Sequence, residues 1–219
     1  MRDFKFDPQV LFSFSQNDPY KITHSHSSLW DELDENRKKL NFPAIHIDVG
    51  SLIHFFTMTA RPSTIFEMGS GYGHSSFWYF INPQFLPNKV ILTEKRTDLE
   101  EVYHSINWPG DWKNRTEYHQ GDAFDILEQQ KQVDFALIDG VKADYLSFLL
   151  KLSPIMPTGG LVFIDNSFWR GSFLDRSIVE KKSSARKIAQ LHQFIRETDE
   201  WTSVFVPFQD GLTILRKNH

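Results

Sequence analysis

The sequence contains no cysteine among its 219 residues. This absence excludes disulfide bonds, thiolate metal sites and cysteine nucleophiles together. It is consistent with a reducing compartment, where disulfides are rare. We therefore expect a cytoplasmic protein whose chemistry comes from other side chains.

Long apolar runs and basic blocks are also missing. No segment approaches the roughly 20 apolar residues of a membrane span, and residues 1–8 lack the apolar stretch of a signal peptide. The chain has 24 basic and 28 acidic residues, which gives a net charge of −4. An acidic balance disfavours nonspecific binding to nucleic acid and to anionic membranes. We expect neither of these partners.

The length suits one domain with a sizeable core. Residues 1–27 are polar and aromatic without a clear period, and we treat them as an N-terminal arm. A flexible arm, a lid or a subunit contact would each explain its large apolar residues, so a homodimer stays open. These residues are Phe4, Phe6, Leu11, Phe12 and Phe14. Residues 28–219 form the predicted domain.

Strands and helices alternate along this domain. Continuous apolar runs of this kind are typical of a parallel sheet covered on both faces, and repeated strand–helix units predict a doubly wound α/β sheet. A helix over residues 184–198 precedes two strands joined by Asp210-Gly211, which predicts a closing antiparallel hairpin. The predicted strands cover residues 64–68, 90–93, 116–119, 133–138, 161–164, 202–207 and 212–216. We also expect a helix over residues 48–58, with Asp48 as its N-cap, and a helix from about residue 74.

A glycine-rich turn follows the first strand, where residues 67–73 read Glu-Met-Gly-Ser-Gly-Tyr-Gly. Ligands of open α/β sheets bind at the carboxyl ends of the strands, and glycines let them approach the backbone. Glu67 would repel a pyrophosphate but favours the sulfonium and amino group of S-adenosylmethionine. Glu94 ends the second strand and can accept ribose hydroxyls, while Asp122 and Ala123 follow the third strand, near an adenine. The alternative is a plain tight turn.

Two further strand ends carry oxygen-rich side chains. Asp139 follows the fourth strand, and Asp165 and Asn166 follow the fifth. If these strands are neighbours, they lie about 5 Å apart, and two such close carboxylates need a proton or a cation. All-oxygen ligands favour Mg²⁺, and an amine such as Lys142 near a metal can act as a general base. The alternatives are a helix cap, an Asx-turn and a solvated surface lysine.

With these residues in place, the chain resembles the cation-dependent class I S-adenosylmethionine O-methyltransferases of the catechol and caffeoyl-coenzyme A type. The resemblance runs from about residue 40 to residue 217 and rests on residues 67–75, 134–142, 159–166 and 206–212. It implies a Rossmann-like, mostly parallel seven-stranded sheet with a C-terminal antiparallel hairpin.

The resemblance also implies the site residues. The catalytic residue is Lys142, and the metal ligands are Asp139, Asp165 and Asn166. The implied cofactor contacts are Glu67, Gly69, Ser70, Gly71, Tyr72, Gly73, Ser75, Glu94, Gly121, Asp122, Ala123 and Asp139.

The predicted function is methyl transfer from S-adenosylmethionine to a hydroxyl oxygen of a small acceptor. A vicinal diol on an aromatic ring could chelate a metal with two oxygens, so we favour a catechol-like acceptor, activated by a divalent cation such as Mg²⁺. Lys142 would remove the proton. Three alternatives stay open: a methyltransferase acting on structured RNA, a nicotinamide-dependent oxidoreductase, and a catalytically silent cofactor-binding protein.

Overall fold

The computed structural model describes residues 26–82 and 84–219. The N-terminal arm expected over residues 1–27 therefore lies almost entirely outside the described residues. Within them, no helix is both long and apolar enough to cross a membrane.

The described strands closely follow the predicted ones. They are β1 (Thr64–Met68), β2 (Lys89–Glu94), β3 (Thr116–Gln120), β4 (Phe135–Ile138), β5 (Leu161–Ile164), β6 (Trp201–Val206) and β7 (Leu212–Lys217). The helices are α1 (Ser27–Leu40), α2 (Ile47–Ala60), α3 (Ser76–Phe80), α4 (Glu100–Ser105), α5 (Gly110–Lys113), α6 (Ala123–Leu127), α7 (Tyr145–Leu152), α8 (Arg176–Lys181) and α9 (Ser183–Glu197).

The seven strands form one sheet in the order β3-β2-β1-β4-β5-β7-β6. Strands β1 to β5 run parallel, and β7 pairs antiparallel with both β5 and β6. The predicted doubly wound sheet with a closing antiparallel hairpin is therefore confirmed. The strand order reverses between β1 and β4, and ligand crevices of open α/β sheets open at such a point.

Helices cover both faces of the sheet. On β1, Ile65 packs into the cluster that contains α1, α2 and α3, whereas Phe66 and Met68 pack with α7 and α9. Because both faces of the inner strands are buried, their sequences are nearly continuous apolar runs. The edge strand β3 has the polar sequence Thr-Glu-Tyr-His-Gln, which an edge position permits.

Two local predictions need correction, and two short helices were not predicted. The helix expected over residues 48–58 with Asp48 as its cap is α2, and its cap is His46, whose Nδ1 accepts a hydrogen bond from the Asp48 N–H at 3.3 Å. The helix expected from residue 74 begins at Ser76, because the glycine-rich segment before it forms turns. Helices α5 and α8 were not predicted, since four to six residues are too few to show a helical period.

Candidate functional site

The glycine-rich turn is fixed between the ends of three strands. The N–H groups of Gly69 and Ser70 both donate to the Thr93 carbonyl at 3.0 Å, and the Asp139 N–H donates to the Met68 carbonyl at 3.0 Å. Gly69 has a φ of +87°, and a Cβ atom there would lie 2.4 Å from the Asp139 carbonyl oxygen. A side chain at position 69 would therefore force the ends of β1 and β4 apart.

A cavity of about 350 Å³ opens beside this turn, and we call it the cofactor cavity. It lies at the carboxyl ends of β1, β2 and β4. The predicted site residues that line it are Gly69, Glu94, Gly121, Ala123, Asp139, Lys142 and Asn166. Residues that are far apart in sequence thus meet at one concave surface, as their positions at the carboxyl ends of successive strands predict.

Glu94 is held in place by the backbone. Its Oε2 accepts a hydrogen bond from the Gly71 N–H at 2.9 Å, and its Oε1 accepts one from the Arg96 N–H at 2.9 Å. Each carboxylate oxygen keeps a second lone pair. This half-buried group therefore lines the cavity with free acceptor capacity for the hydroxyl groups of a ligand.

Several predicted cofactor contacts instead lie behind the turn. Glu67 is 2% exposed and accepts hydrogen bonds from the Ser75 and Tyr79 hydroxyls, and its burial raises its pKa to about 7. Tyr72 is buried and donates its hydroxyl proton to the Leu33 carbonyl at 2.9 Å. These side chains support the turn and do not line the cavity.

Asp122 has a structural role at the rim of the cofactor cavity. Its Oδ1 accepts a hydrogen bond from the Phe124 N–H at 3.0 Å and so caps α6, and its Oδ2 pairs with Lys95 Nζ at 2.8 Å. The Lys95 ammonium holds the pKa of Asp122 below its usual range. Ser70, Gly71 and Gly73 lie within the turn itself and do not line the cavity.

The predicted carboxylate cluster forms at the ends of β4 and β5. These strands are neighbours, with Ile138 paired to Ile164, and the Asp165 N–H donates to the Ile138 carbonyl at 3.1 Å. Asn166 Nδ2 lies 3.4 Å from Asp139 Oδ1. The structure therefore brings Asp139, Asp165 and Asn166 together.

This cluster brings two carboxyl groups together in a buried position, where ionising both is unfavourable. Burial and then the Asp165 charge raise the pKa of Asp139 to about 8, against a smaller opposing effect of Lys142. Burial likewise raises the pKa of Asp165, which is only 7% exposed. Among the side chains that the structure describes, no basic group lies within 4 Å of either carboxylate. A bound cation would relieve this repulsion.

The donor set decides which cation fits. The described residues contain no group of three His, Cys, Asp or Glu side chains placed to hold a metal ion. The cluster offers two carboxylates and one amide, which are the oxygen ligands that hard cations such as Mg²⁺ prefer. Asn166 turns its amide nitrogen toward Asp139, so it would have to rotate about its Cβ–Cγ bond to present its oxygen.

The free energy of unfolding should depend on pH because of the ionisation of this cluster. The Asp139 carboxyl holds its proton up to about pH 8 when folded but loses it near its ordinary value of 3.8 when unfolded. Between these values the folded state binds more protons, so the free energy of unfolding should fall as the pH rises. Added Mg²⁺ should then raise the melting temperature more at pH 8 than at pH 5.

The variant Asp139→Asn isolates the cluster in this experiment. Buried Glu67, with a pKa raised to about 7, contributes a pH dependence of the same sign, so the slope of the wild-type curve alone is not diagnostic. We expect Asp139→Asn to lose the stabilisation by Mg²⁺. Equal stabilisation of the variant and the wild-type protein would place the cation elsewhere.

A second cavity of about 290 Å³ lies on the other side of the cluster, and we call it the acceptor cavity. Its wall combines apolar and polar side chains. Pro43, Asp139 and Asn166 border both cavities. The remaining lining residues are Ala44, His46, Val49, Asp165, Gln209 and Asp210.

The sequence analysis did not identify every lining residue. Phe42 and Pro43 come from the loop between α1 and α2, which carries no motif. Lys95 and Arg96 also line the cavity and directly follow Glu94. Their position just after a strand-end carboxylate is the sequence feature that could have identified them as lining residues.

Glu94 gives a direct test of the cofactor cavity. Removing a charged acceptor costs roughly 1.5–3 kcal/mol, or about a ten- to hundredfold loss of affinity. We expect calorimetry to show this weakening of S-adenosylhomocysteine binding in Glu94→Ala. The control is Glu101→Ala, which removes an exposed carboxylate on α4 away from the cavity. Unchanged affinity in Glu94→Ala, with the fold intact, would remove Glu94 from the site.

A sequence model of the family described as O-methyltransferase matches residues 22–218. A caffeoyl-CoA O-methyltransferase from Stellaria longipes is 23% identical over 180 residues, covering 77% of this chain and 73% of that enzyme. Tricin synthase 2 from Oryza sativa subsp. japonica is 27% identical over 135 residues, covering 55% of this chain and 46% of that enzyme.

Solved structures share the fold. The O-methyltransferase TomG from Streptomyces achromogenes, in complex with S-adenosylmethionine, has a TM-score of 0.76 at 18% identity, covering 87% of this chain and 90% of that one. An O-methyltransferase from Bacillus cereus, in complex with S-adenosylhomocysteine, has a TM-score of 0.77 at 18% identity, covering 87% and 91%. The chain therefore belongs to the O-methyltransferase family, whose enzymes take their methyl group from S-adenosylmethionine.

Proposed function

We propose that the protein transfers a methyl group from S-adenosylmethionine to a hydroxyl oxygen of a small, catechol-like acceptor, with a divalent cation and a lysine general base. One observation carries this proposal: Asp139 and Asn166 border both the cofactor cavity and the acceptor cavity. The two cavities thus meet at the oxygen-rich cluster, where a methyl donor and a hydroxyl acceptor would face each other.

The acceptor cavity supports a small, flat acceptor. Its volume of about 290 Å³ is at the lower end of the range for ligand pockets, which is about 300–1,000 Å³. Pro43, Ala44 and Val49 supply an apolar wall, and Asp139 and Asp165 lie on the oxygen-rich side. An aromatic ring with two adjacent hydroxyls matches this division into an apolar and a polar side.

The cluster has the chemistry to hold a cation. Asp139 and Asp165 would supply carboxylate oxygens, and Asn166 would supply its amide oxygen. When bound, a divalent cation lowers the pKa of a coordinated hydroxyl. The two aspartates would also hold the acceptor oxygens close to the cofactor cavity, because Asp139 borders both cavities.

Lys142 is the proposed acceptor of the hydroxyl proton. It lines the cofactor cavity near Asp139, and no carboxylate among the described residues lies within 4 Å of its ammonium. The methyl carbon exchanges its bond to sulfur for a bond to the acceptor oxygen, so the products are S-adenosylhomocysteine and a methyl ether. Before the transfer, the neutral amine of Lys142 takes the proton of the acceptor hydroxyl, and the resulting ammonium then releases it to water.

A methyl-transfer screen tests the acceptor class. Catechols, phenolic acyl-coenzyme A esters and structured RNA would be compared, with and without Mg²⁺. We expect Mg²⁺-dependent product with catechols and little with RNA, because the cavity is small and acidic. Turnover of RNA alone would reverse this assignment, and no turnover of any substrate would favour the catalytically silent alternative. Family membership removes the nicotinamide-dependent alternative.

A further inference from the structure

Tyr145 lies against the proposed general base but has no part in the mechanism above. It is the first residue of α7 and is fully buried in the core cluster on that side of the sheet. Lys142 Nζ lies 5.7 Å from the centroid of its ring. A cation at this distance from an aromatic ring is attracted by the negative charge of the ring face.

The ring, and not the hydroxyl, makes this contact. Among the residues that the structure describes, the buried Tyr145 hydroxyl has no hydrogen-bond partner. Burial, and then the charges of Asp139 and Asp165, raise the pKa of this phenol, so the group stays neutral. A buried hydroxyl without a partner adds no stability.

Lys142 needs such a contact because little else holds it. Its side chain has four rotatable carbon–carbon bonds, and no carboxylate of the described chain lies within 4 Å of its ammonium. The 3₁₀ turn Lys142–Asp144 leads directly into α7, so the ring is fixed relative to the lysine backbone. The ring would also stabilise the ammonium that forms when the amine takes a proton.

We propose that Tyr145 is a positioning residue whose ring holds the Lys142 ammonium at the wall of the cofactor cavity. This inference rests on the proposed function, because it gives Lys142 its catalytic role. The proposal attributes the positioning of Lys142 to the face of the Tyr145 ring and not to its hydroxyl. Tyr145→Phe should therefore keep the function, and Tyr145→Leu should lose it.

Turnover numbers test the coupling between the two residues. We expect Tyr145→Phe to keep nearly the wild-type value and Tyr145→Leu to lose roughly tenfold, the size expected for a partly buried cation–π contact. In a Lys142→Met background, Tyr145→Leu should have no further effect, because the residue acts through the lysine. Additive losses in the double variant would overturn the proposal.

A spectroscopic measurement tests the contact without any substrate or metal. In protein with ¹³C-labelled lysine, the ε-methylene signal of Lys142 is assigned by its loss in Lys142→Met. The ring face should shift this signal upfield in the wild-type protein and in Tyr145→Phe. An unshifted signal in the wild-type protein would overturn the proposal even if Tyr145→Leu does not fold.

Phe148→Leu is the matched control. Phe148 is buried in the same helix and the same core cluster as Tyr145, so its truncation leaves a comparable cavity. It should leave the Lys142 signal and the turnover number unchanged. An equal loss of turnover in Phe148→Leu would show a general packing effect instead. The upfield shift would survive even if no acceptor were methylated, so this inference and the proposed function fail separately.

Discussion

Methyl transfer should vanish in excess EDTA, return on addition of Mg²⁺, and be lost in Asp165→Ala. The physical reason is the charge at the ends of β4 and β5, where Asp139 and Asp165 lie together without a basic side chain within 4 Å in the described structure. The loss of one ligand leaves too few oxygen donors for a hard cation. Radiolabelled methyl transfer and thermal melting, measured on the same samples, separate activity from stability.

A competing interpretation treats Asp165 and Asn166 only as a turn. It draws on the hydrogen bond from the Asn166 N–H to Asp165 Oδ1 at 2.8 Å and on the left-handed φ of +54° at Asn166. It requires that Asp165→Ala lowers the melting temperature and that chelator has no effect. Asp125→Ala, which removes an exposed carboxylate on α6, is the control. Robust turnover in excess chelator contradicts the metal site.

The second large effect is expected at Lys142. In Lys142→Met the stem is largely kept but the amine is lost, so the turnover number should fall by about 10²- to 10⁴-fold, as expected for loss of a general base. The affinity for S-adenosylhomocysteine should barely change. Lys142→Arg should not restore turnover, because a guanidinium keeps its proton far above neutral pH. Rapid-quench kinetics and calorimetry measure the two quantities.

Lys151→Met controls for the loss of a lysine near the same helix. Lys151 lies on α7 and pairs with Glu128, away from both cavities. The Lys151→Met variant should keep the wild-type turnover number. Full activity in Lys142→Met would show that no lysine base is needed and that activation of the hydroxyl by a cation is sufficient.

The sequence predicts the sheet well because burial on both faces selects apolar residues throughout the inner strands. It also predicts which strand ends meet, since a doubly wound order places the ends of β4 and β5 side by side, as the pairing of Ile138 with Ile164 confirms. The polar edge strand β3 was located because strand and helix segments alternate around it.

Side-chain direction was less accessible from the sequence. Glu67 and Met68 are adjacent on β1, but successive residues of a strand point to opposite faces. Met68 therefore lines the cofactor cavity, while Glu67 turns toward Tyr79 in the other layer. The motif identifies the turn correctly without showing which of its side chains face the ligand.

The sequence predicts the oxygen-rich side of the acceptor cavity but not the rest of its wall. Its apolar wall comes from the loop after α1 and from the start of α2, and its opposite side comes from the β6–β7 hairpin. Such a surface depends on tertiary packing between segments that share no motif. The same limit applies to Tyr145, whose apolar surroundings suggest only a core residue.

The shared wall of the two cavities has a consequence for the affinities of both ligands. Pro43, Asp139 and Asn166 border both cavities, so a ligand that orders these residues in one cavity also orders one side of the other. Ligand affinities that depend on a common element are linked, and the linkage is reciprocal. If bound cofactor makes the free energy of acceptor binding more favourable, bound acceptor makes the free energy of cofactor binding more favourable by the same amount.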